Sequence, residues 1–563
     1  MIWAYDFEVF KHDWLVVFKN EQSTEIIHND QSKLKSWVKE NNPVLVGFNN
    51  YHYDDKVLFN LLSREVCTPE DLHSISNRII DDDYNQYIEF PILSLDTRQE
   101  LDFNLSLKAI EGYLGWDIVE CSIPWNLDRK LSDEEVIEVS KYCEHDVDAT
   151  WKIFKLREDY FSAKYNLTKE FNLNQDDLKK SQAQLSAVVL GAKKKYKGKK
   201  DRLCIQYDPN INWKLIPPRL KEFFDEIELD YKKGRNPEKL EKDRKLHVFV
   251  GGISHKIGFG GIHGAIRHYQ RKGNLIHIDV GSYYPALMIN NSWVSRACKN
   301  PEKFSEIRDT RFKLKKSGDS RQEVYKIILN STYGASKAKT NLMFDPRMAN
   351  NICVNGQIIL IQLVKELQPY CRLIQSNTDG IIVEIKDLDG INRVLDDFGN
   401  RFNLTFSKTN INKIVQRDVN NYAIQYGNGK IKAKGIFDIK NWENNSLNIV
   451  AKALQNYFFK GISVLDTIIN ADNIDFQIIA KKGGTYKYVE FNGERIQNVN
   501  RVFATKTGYP IYKVKDTGQR DKVAQTSEKS TVWNYSNLDE LQIDKDYYYQ
   551  IIQDEIAKFH IIK

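Results

Sequence analysis

Leu275-Ile276-His277-Ile278-Asp279-Val280-Gly281-Ser282-Tyr283-Tyr284-Pro285 reads as an apolar strand that ends in an acid and then turns sharply into a second element. Alone, an aspartate after a strand more often caps the next helix. Its company changes that weight. Downstream, Leu373-Ile374-Gln375-Ser376-Asn377-Thr378-Asp379-Gly380-Ile381-Ile382-Val383 reads as two strands around a tight turn, with Asn377 and Gly380 suited to the turn and Asp379 expected beside Asp279. Between them, Lys326-Ile327-Ile328-Leu329-Asn330-Ser331-Thr332-Tyr333-Gly334 sets Lys326, Asn330 and Tyr333 on one helical face. Arg311 and Lys315, also one turn apart, precede it.

A second set of acids lies near the start of the chain. Asp6-Phe7-Glu8 places two carboxylates on the same face of a predicted strand, where both can hold one cation. Asp54, in Gly47-Phe48-Asn49-Asn50-Tyr51-His52-Tyr53-Asp54, and Asp146, in Tyr142-Cys143-Glu144-His145-Asp146, are the acids that join them. Tyr142 and Asp146 share a face of a helix expected to begin at Ser132. There the Ser132 hydroxyl caps, Glu135 reaches back, and Val136, Val139, Cys143, Val147, Trp151 and Phe154 form a buried stripe. Strands and helices alternate over residues 1 to about 160, the pattern of an α/β domain.

The ordered set Asp6/Glu8, Asn50 to Asp54 and Tyr142 to Asp146 resembles the three exonuclease motifs of the DnaQ-like, RNase H-like proofreading domain. By that resemblance Asp6, Glu8, Asp54 and Asp146 bind two metal ions and Tyr142 orients the attacking water. Asn50, Tyr53, Ser106 and Leu107 are then expected to grip the unpaired primer end. Four carboxylates suit this chemistry, since they can hold two divalent ions about 4 Å apart, one to activate water and one to stabilise the leaving oxygen.

Asp279-x-x-Ser282-Tyr283-Tyr284-Pro285 resembles motif A of the family B DNA polymerases, with Tyr283 in place of the usual leucine. The segment from Lys326 to Gly334 resembles motif B. Gln375 to Gly380 resembles motif C, with Gln375, Asn377 and Gly380 departing from the family's Tyr, Asp and Ser. The resemblance implies that Asp279, the Val280 carbonyl and Asp379 bind the polymerase metals. It implies that Tyr284 lies under the incoming sugar and excludes a ribose 2′-hydroxyl, and that Lys326, Asn330, Tyr333, Arg311 and Lys315 bind the nucleotide. A cation, an amide and a ring on one stripe suit triphosphate oxygens and a nascent base pair. Tyr422 occupies the family's primer-contact element, whose lysine is missing; Lys432 and Lys434 are expected to contact phosphate in its place. Either Gly258-Phe259-Gly260-Gly261 or Phe249-Val250-Gly251-Gly252 fits the family's linker element.

Composition agrees with a large enzyme that meets nucleic acid locally. The 563 residues favour about three to five domains. With 82 basic and 76 acidic residues, the surplus of +6 cannot coat the surface, so any footprint is local. Seven scattered cysteines without a C-x-x-C pair read as free thiols in a reducing cytosol. No signal peptide and no membrane span are read, and a cytoplasmic location is expected, the host's if the chain is phage-encoded. The lysine run from Lys193 to Lys200 reads as a solvated face.

The expected architecture is multidomain, α/β and α+β: an RNase H-like exonuclease over 1–165, a connecting region over 166–250, a right-hand polymerase with palm over 251–300 and 346–440, fingers over 301–345, and a thumb over 441–563. The resemblance implies a primer-dependent, DNA-directed DNA polymerase with 3′→5′ proofreading, of compact phage type, serving a phage or plasmid genome. Two Mg²⁺ ions are expected at each site, with Mn²⁺ able to substitute. The partners expected are primer-template DNA, single-stranded DNA, deoxynucleoside triphosphates, and a helicase or single-strand-binding protein, the chain itself being a monomer. The short spans from Asp279 to Lys326 and from Gly334 to Asp379 leave little room for the insertions of protein-primed relatives, so a nucleic-acid primer is expected. The alternative is a degenerate polymerase acting mainly as a 3′→5′ exonuclease or DNA-binding protein. A nuclease whose C-terminal region only holds DNA and a reverse transcriptase are disfavoured by Tyr284 and the Lys326 motif.

Overall fold

The computed structural model describes residues 1–84, 88, 90–102, 104–193, 196, 201–443 and 447–560. Lys194, Lys195, Lys197, Lys199 and Lys200 of the lysine run lie outside the described residues. The chain forms two compact units, one of residues 1–181, 440–449 and 470–548, the other of 182–439, 450–469 and 549–563. The stretch expected as one thumb, 441–563, is therefore shared between them.

The first unit is built on a five-stranded sheet in the order Thr24–His28, Trp14–Lys19, Ile2–Val9, Val44–Gly47, Ser94–Asp96. The first three strands run antiparallel and the last three parallel. Side chains of Ile2–Val9 alternate between two cores. Trp3, Tyr5, Phe7 and Val9 pack with Trp14, Phe18 and Trp37 on one face. Ala4 packs on the other against Val139, Cys143 and Val147 of the long helix Asp133–Leu156. That helix starts as its sequence predicts: Ser132 accepts from the Glu135 N–H, and the Glu135 side chain accepts from the Ser132 N–H. The same alternation turns Asp6 and Glu8 toward this helix.

Residues 470–548 add two small sheets. One pairs Ile478–Lys481, Val499–Tyr509 and Ser530–Val532; the other orders Glu494–Ile496, Tyr488–Phe491, Ile511–Val514 and Arg520–Lys522. Ala480, Val489, Val502, Ile511 and Val523 form their core. Arg501 is fully buried and donates to the carbonyls of Trp116 and Tyr535, each at 2.6 Å, which anchors this lobe on the segment after helix Leu107–Leu114.

The second unit holds a seven-stranded antiparallel sheet in the order Ile431–Lys434, Asn421–Tyr426, Phe406–Asp418, Tyr269–Val280, Gly380–Ile385, Cys371–Asn377, Gly264–Ala265. The opening stretch is thus the central strand of the unit. Helix Pro346–Leu367 is buried along almost its whole length, and the helix pair Glu302–Lys316 and Gln322–Lys337 packs side by side. Residues 166–250, expected only as a connection, supply helices of their own: Gln182–Val189, Pro218–Lys232 and Pro237–Asp243. The first of these meets the Lys326 helix through Ser186 and Ser331, whose hydroxyls lie 2.7 Å apart. All seven cysteines are free, and among the described residues no helix is long and apolar enough to cross a membrane.

Candidate active sites

In the first unit, strand and helix bring the four predicted acids together. The Phe7 N–H donates to Asp54 Oδ1 at 3.2 Å, which ties the start of helix Asp54–Ser63 to the strand between Asp6 and Glu8. Asp55, its neighbour in sequence, points elsewhere and accepts from the Tyr5 hydroxyl, the Asn50 amide and the Ser94 hydroxyl in the opposite core. Asp146 completes the cluster from the long helix, one turn after Tyr142, whose phenol bonds it. Glu8, Asp54 and Asp146 are all buried. Burial, then the neighbouring acids, pushes Asp6 and Glu8 well above the usual carboxylate range and Asp54 to about 8, and burial raises Asp146 to about 6 against the opposing charge of Lys108. Acids crowded in this way lack positive charge. An all-oxygen donor set of Asp6, Glu8, Asp54 and Asp146 fits hard divalent cations. The Cys143 thiol lies 3.4 Å from the Asp6 carbonyl, but burial raises it and keeps it protonated.

Lys108 brings positive charge to the cluster. Lys108 donates to Asp146, lies 3.3 Å from Glu111 and sits 4.8 Å from the centre of the Tyr142 ring. Glu111 is fully buried and also meets His145 at 3.3 Å. Sequence reading passed over Glu111; its signal is the i, i+3 spacing from Lys108. Of the residues expected to grip a primer end, Asn50 is fully buried and spends its amide on Asp55 and Ser94. The Tyr53 hydroxyl bonds Ser76, and Ser106 caps the helix that Leu107 begins.

The raised carboxyls make stability depend on pH in a definite direction. The folded chain keeps a proton on Asp54 up to about pH 8, whereas the unfolded chain has released it above its ordinary value near 4. Stability of the metal-free protein therefore falls as pH rises through that window. Asp54→Asn is expected to raise the metal-free melting temperature by about 2–8 °C at pH 8 and to leave it unchanged at pH 4, by scanning calorimetry. A lower melting temperature at pH 8 would contradict this electrostatic account.

In the second unit, Asp279 pairs across strands with Gly380, and the Val280 N–H donates to the Asp379 carbonyl at 2.8 Å. The two predicted acids therefore lie on adjacent strands at one end of the sheet. A Cβ on Gly380 would come within 2.8 Å of both Asp279 Oδ1 and the Ile278 carbonyl. Gly380→Ser is thus expected to displace the Asp279 carboxylate and to lower the melting temperature by about 2–4 °C, by scanning calorimetry. An unchanged melting temperature would refute the close approach.

His277 was not anticipated, although two residues before Asp279 on a strand is the same face. Its Nε2 lies 3.2 Å from Asp279 Oδ1 and its Nδ1 3.1 Å from the Tyr426 hydroxyl. Burial holds its pKa down to about 4, so a neutral ring orients the aspartate. Burial raises the Asp279 carboxyl, and the Lys432 charge opposes that rise. Lys432 and Lys434 are exposed on the edge strand, whereas Tyr422 is 3% exposed, with its hydroxyl toward the amides of Gln375 and Asn377. Asn377 also bonds His263. Gln375 is fully buried and its amide atoms have no hydrogen-bond partner among the described residues, and Asp379 is the acid of the turn.

Of the two candidate linker elements, Gly251 and Gly252 form the hairpin turn between Leu246–Val250 and Ile253–Ile257. Gly261 instead abuts the acid turn: a Cβ there would fall 1.9 Å from Thr378 Oγ1. A cavity of about 460 Å³ opens beside Asp379 and is lined by Val280, Tyr284, Arg311, Lys326, Asn330 and Tyr333. Tyr284 packs edge-on against Tyr333 at 4.6 Å. Arg311 donates to the Ser282 hydroxyl at 3.2 Å. Lys315, one turn beyond Arg311, is exposed and does not line the cavity.

No family model and no curated protein matches the chain. Among solved structures, it is similar to the family B DNA polymerase from the hyperthermophilic archaeon Pyrobaculum calidifontis. The TM-score is 0.45 at 13% identity, over 100% of this chain and 78% of that one.

Proposed function

We propose that this chain is a primer-dependent, DNA-directed DNA polymerase with an intrinsic 3′→5′ exonuclease. The observation that carries the reading is the presence of two separate acid centres, one in each unit, only one of which opens into a cavity lined by Arg311, Lys326, Asn330 and two tyrosines. Asp279, the Val280 carbonyl and Asp379 would hold divalent cations at the polymerase centre, and Asp6, Glu8, Asp54 and Asp146 at the exonuclease centre. Mg²⁺ or Mn²⁺, when bound, supplies Lewis-acid activation of the attacking oxygen and relief of charge on the leaving one.

The protein's own groups do the rest. Arg311 and Lys326 neutralise the triphosphate of an incoming nucleotide, and Asn330 adds an amide beside them. Tyr284 forms the floor under the sugar. It is held from one side by Tyr333, and from the other by helix Pro346–Leu367, where a Cβ on Gly356 would already be 3.1 Å from its ring. A ring wedged in this way cannot retreat from a 2′-hydroxyl, which selects deoxynucleotides. Lys432 and Lys434 offer phosphate contacts on the edge strand. In the other centre, Tyr142 orients the attacking water while Lys108 balances Asp146.

The absence of room for protein-priming insertions favours a nucleic-acid primer and a helicase partner, as a compact phage or plasmid polymerase would need. The test is a 5′-labelled primer on a DNA template with Mg²⁺. Lengthening with four deoxynucleotides and stepwise shortening without them are expected. Shortening under both conditions would support the degenerate-polymerase alternative instead.

A further inference from the structure

Beside the all-oxygen acid centre, the first unit gathers a second donor set of different chemistry. Glu111 on helix Leu107–Leu114, with His145 and Asp146 on helix Asp133–Leu156, bring one ligand atom apiece within 4.8 Å of one another. We propose that these three residues form a site for a borderline divalent cation, Zn²⁺ foremost, and that filling it withdraws Asp146 from the neighbouring acids and arrests 3′-end trimming. The arrest rests on the exonuclease reading; the binding does not.

Donor chemistry sets the choice of ion. Asp6, Glu8, Asp54 and Asp146 offer only oxygens, whereas here an imidazole nitrogen joins two carboxylates, a set that suits Zn²⁺ or Co²⁺ better than Mg²⁺. The spacing agrees. His145 Nε2 and Glu111 Oε1 are 3.3 Å apart. A cation about 2.1 Å from each would see them at an angle of about 104°, near tetrahedral.

An ion-pair network alone leaves the cluster incomplete. Glu111 is fully buried, yet its Oε2 has no hydrogen-bond partner among the described residues, and neither has the buried His145 Nε2. Buried polar atoms are normally paired, so two orphans in one cluster mark the place of a ligand. Lys108 fills part of that place: its ammonium donates to Asp146 and lies 3.3 Å from Glu111 Oε1. One ammonium balances one of the two carboxylates, and a divalent cation balances both. Lys108 also has somewhere to go, since it lines a cleft of about 700 Å³ with Ser122 and Asn126, into which its flexible stem can swing. Asp146 is the shared member, and an oxygen committed to this cation is lost to the trimming centre.

The test uses the full chain, freed of metal by chelation, with Co²⁺ as a coloured stand-in for Zn²⁺. Wild type and Asp6→Ala are both expected to give the strong visible absorption of four- or five-coordinate Co²⁺, since Asp6 belongs only to the other donor set. His145→Gln and Glu111→Gln are expected to bind Co²⁺ at least ~10–100-fold more weakly, and Lys108→Met to bind it several-fold more tightly. The His145 side chain is 28% exposed, so His145→Gln is expected to keep its fold, checked by melting temperature, even where the buried Glu111→Gln does not. Zn²⁺ is expected to displace Co²⁺, and a millimolar excess of Mg²⁺ is not. In trimming of a labelled primer at fixed Mg²⁺, Zn²⁺ is expected to slow wild type by about tenfold or more, with the midpoint ~10–100-fold higher in His145→Gln. Absorption lost in Asp6→Ala but kept in His145→Gln would overturn the site. A His145-dependent band in a wild type whose trimming ignores Zn²⁺ would overturn the arrest. If wild type trims no strand while the His145-dependent band persists, the exonuclease reading falls and the metal site stands.

Discussion

Asp379→Asn is expected to lose primer extension by on the order of a thousandfold or more, beyond the ~10–100-fold that follows loss of a mere supporting partner, while it still shortens a primer from the 3′ end. The substitution keeps the size of the side chain and removes only its charge. Asp379 is exposed at the turn, and its backbone carbonyl, not its carboxylate, ties the turn to Val280, so folding has no need of the charge. Asp279 and Asp379 are the two predicted acids brought to one end of the sheet, and neither can hold two cations alone. Loss of trimming together with extension, in a protein of wild-type melting temperature, would show that the two centres are not separate.

Asp6→Ala is the reciprocal case. Trimming is expected to fall by a similar order, on the order of a thousandfold, because Asp6 is an immediate neighbour of Glu8, Asp54 and Asp146 and the alternation of its strand allows no nearby acid to replace it. Extension is expected to persist, since every residue assigned to it belongs to the other unit. Removing Asp6 also removes one of several crowded carboxyls, so the metal-free variant should be no less stable than wild type near pH 8. Measured rates of both reactions on one labelled primer check the pair.

Much of the site was legible because strand periodicity and the hairpin signal act locally. The two-residue spacing of Asp6 and Glu8 required that both face the same way, and the Asn377–Gly380 signal fixed the hairpin that carries Asp379, whose place beside Asp279 then comes from the long-range pairing of Gly380 with Asp279. What was not legible depends on packing between distant segments. Asp54 was named from its motif, but the place of its neighbour Asp55, in the opposite core with Tyr5, was not. The signals of His277 and Glu111, a two-residue strand spacing from Asp279 and an i, i+3 spacing from Lys108, are too common in a sequence to raise them above core polar groups. The attachment of the 470–548 lobe depends on single side chains from distant segments, such as Arg501 donating to the Trp116 carbonyl and Glu120 accepting from the Asn498 and Val499 N–H groups. No periodicity announces such bonds.

The central claim is that one chain both adds nucleotides under template direction and removes them. Its most direct test is nucleotide turnover at a fixed position: wild-type protein, Mg²⁺, a primer-template and a single deoxynucleoside triphosphate, with release of the monophosphate measured. Sustained release only when the nucleotide complements the next template base, switching when that base is changed, is the predicted result. Absence of turnover, or turnover indifferent to the template base, would contradict it.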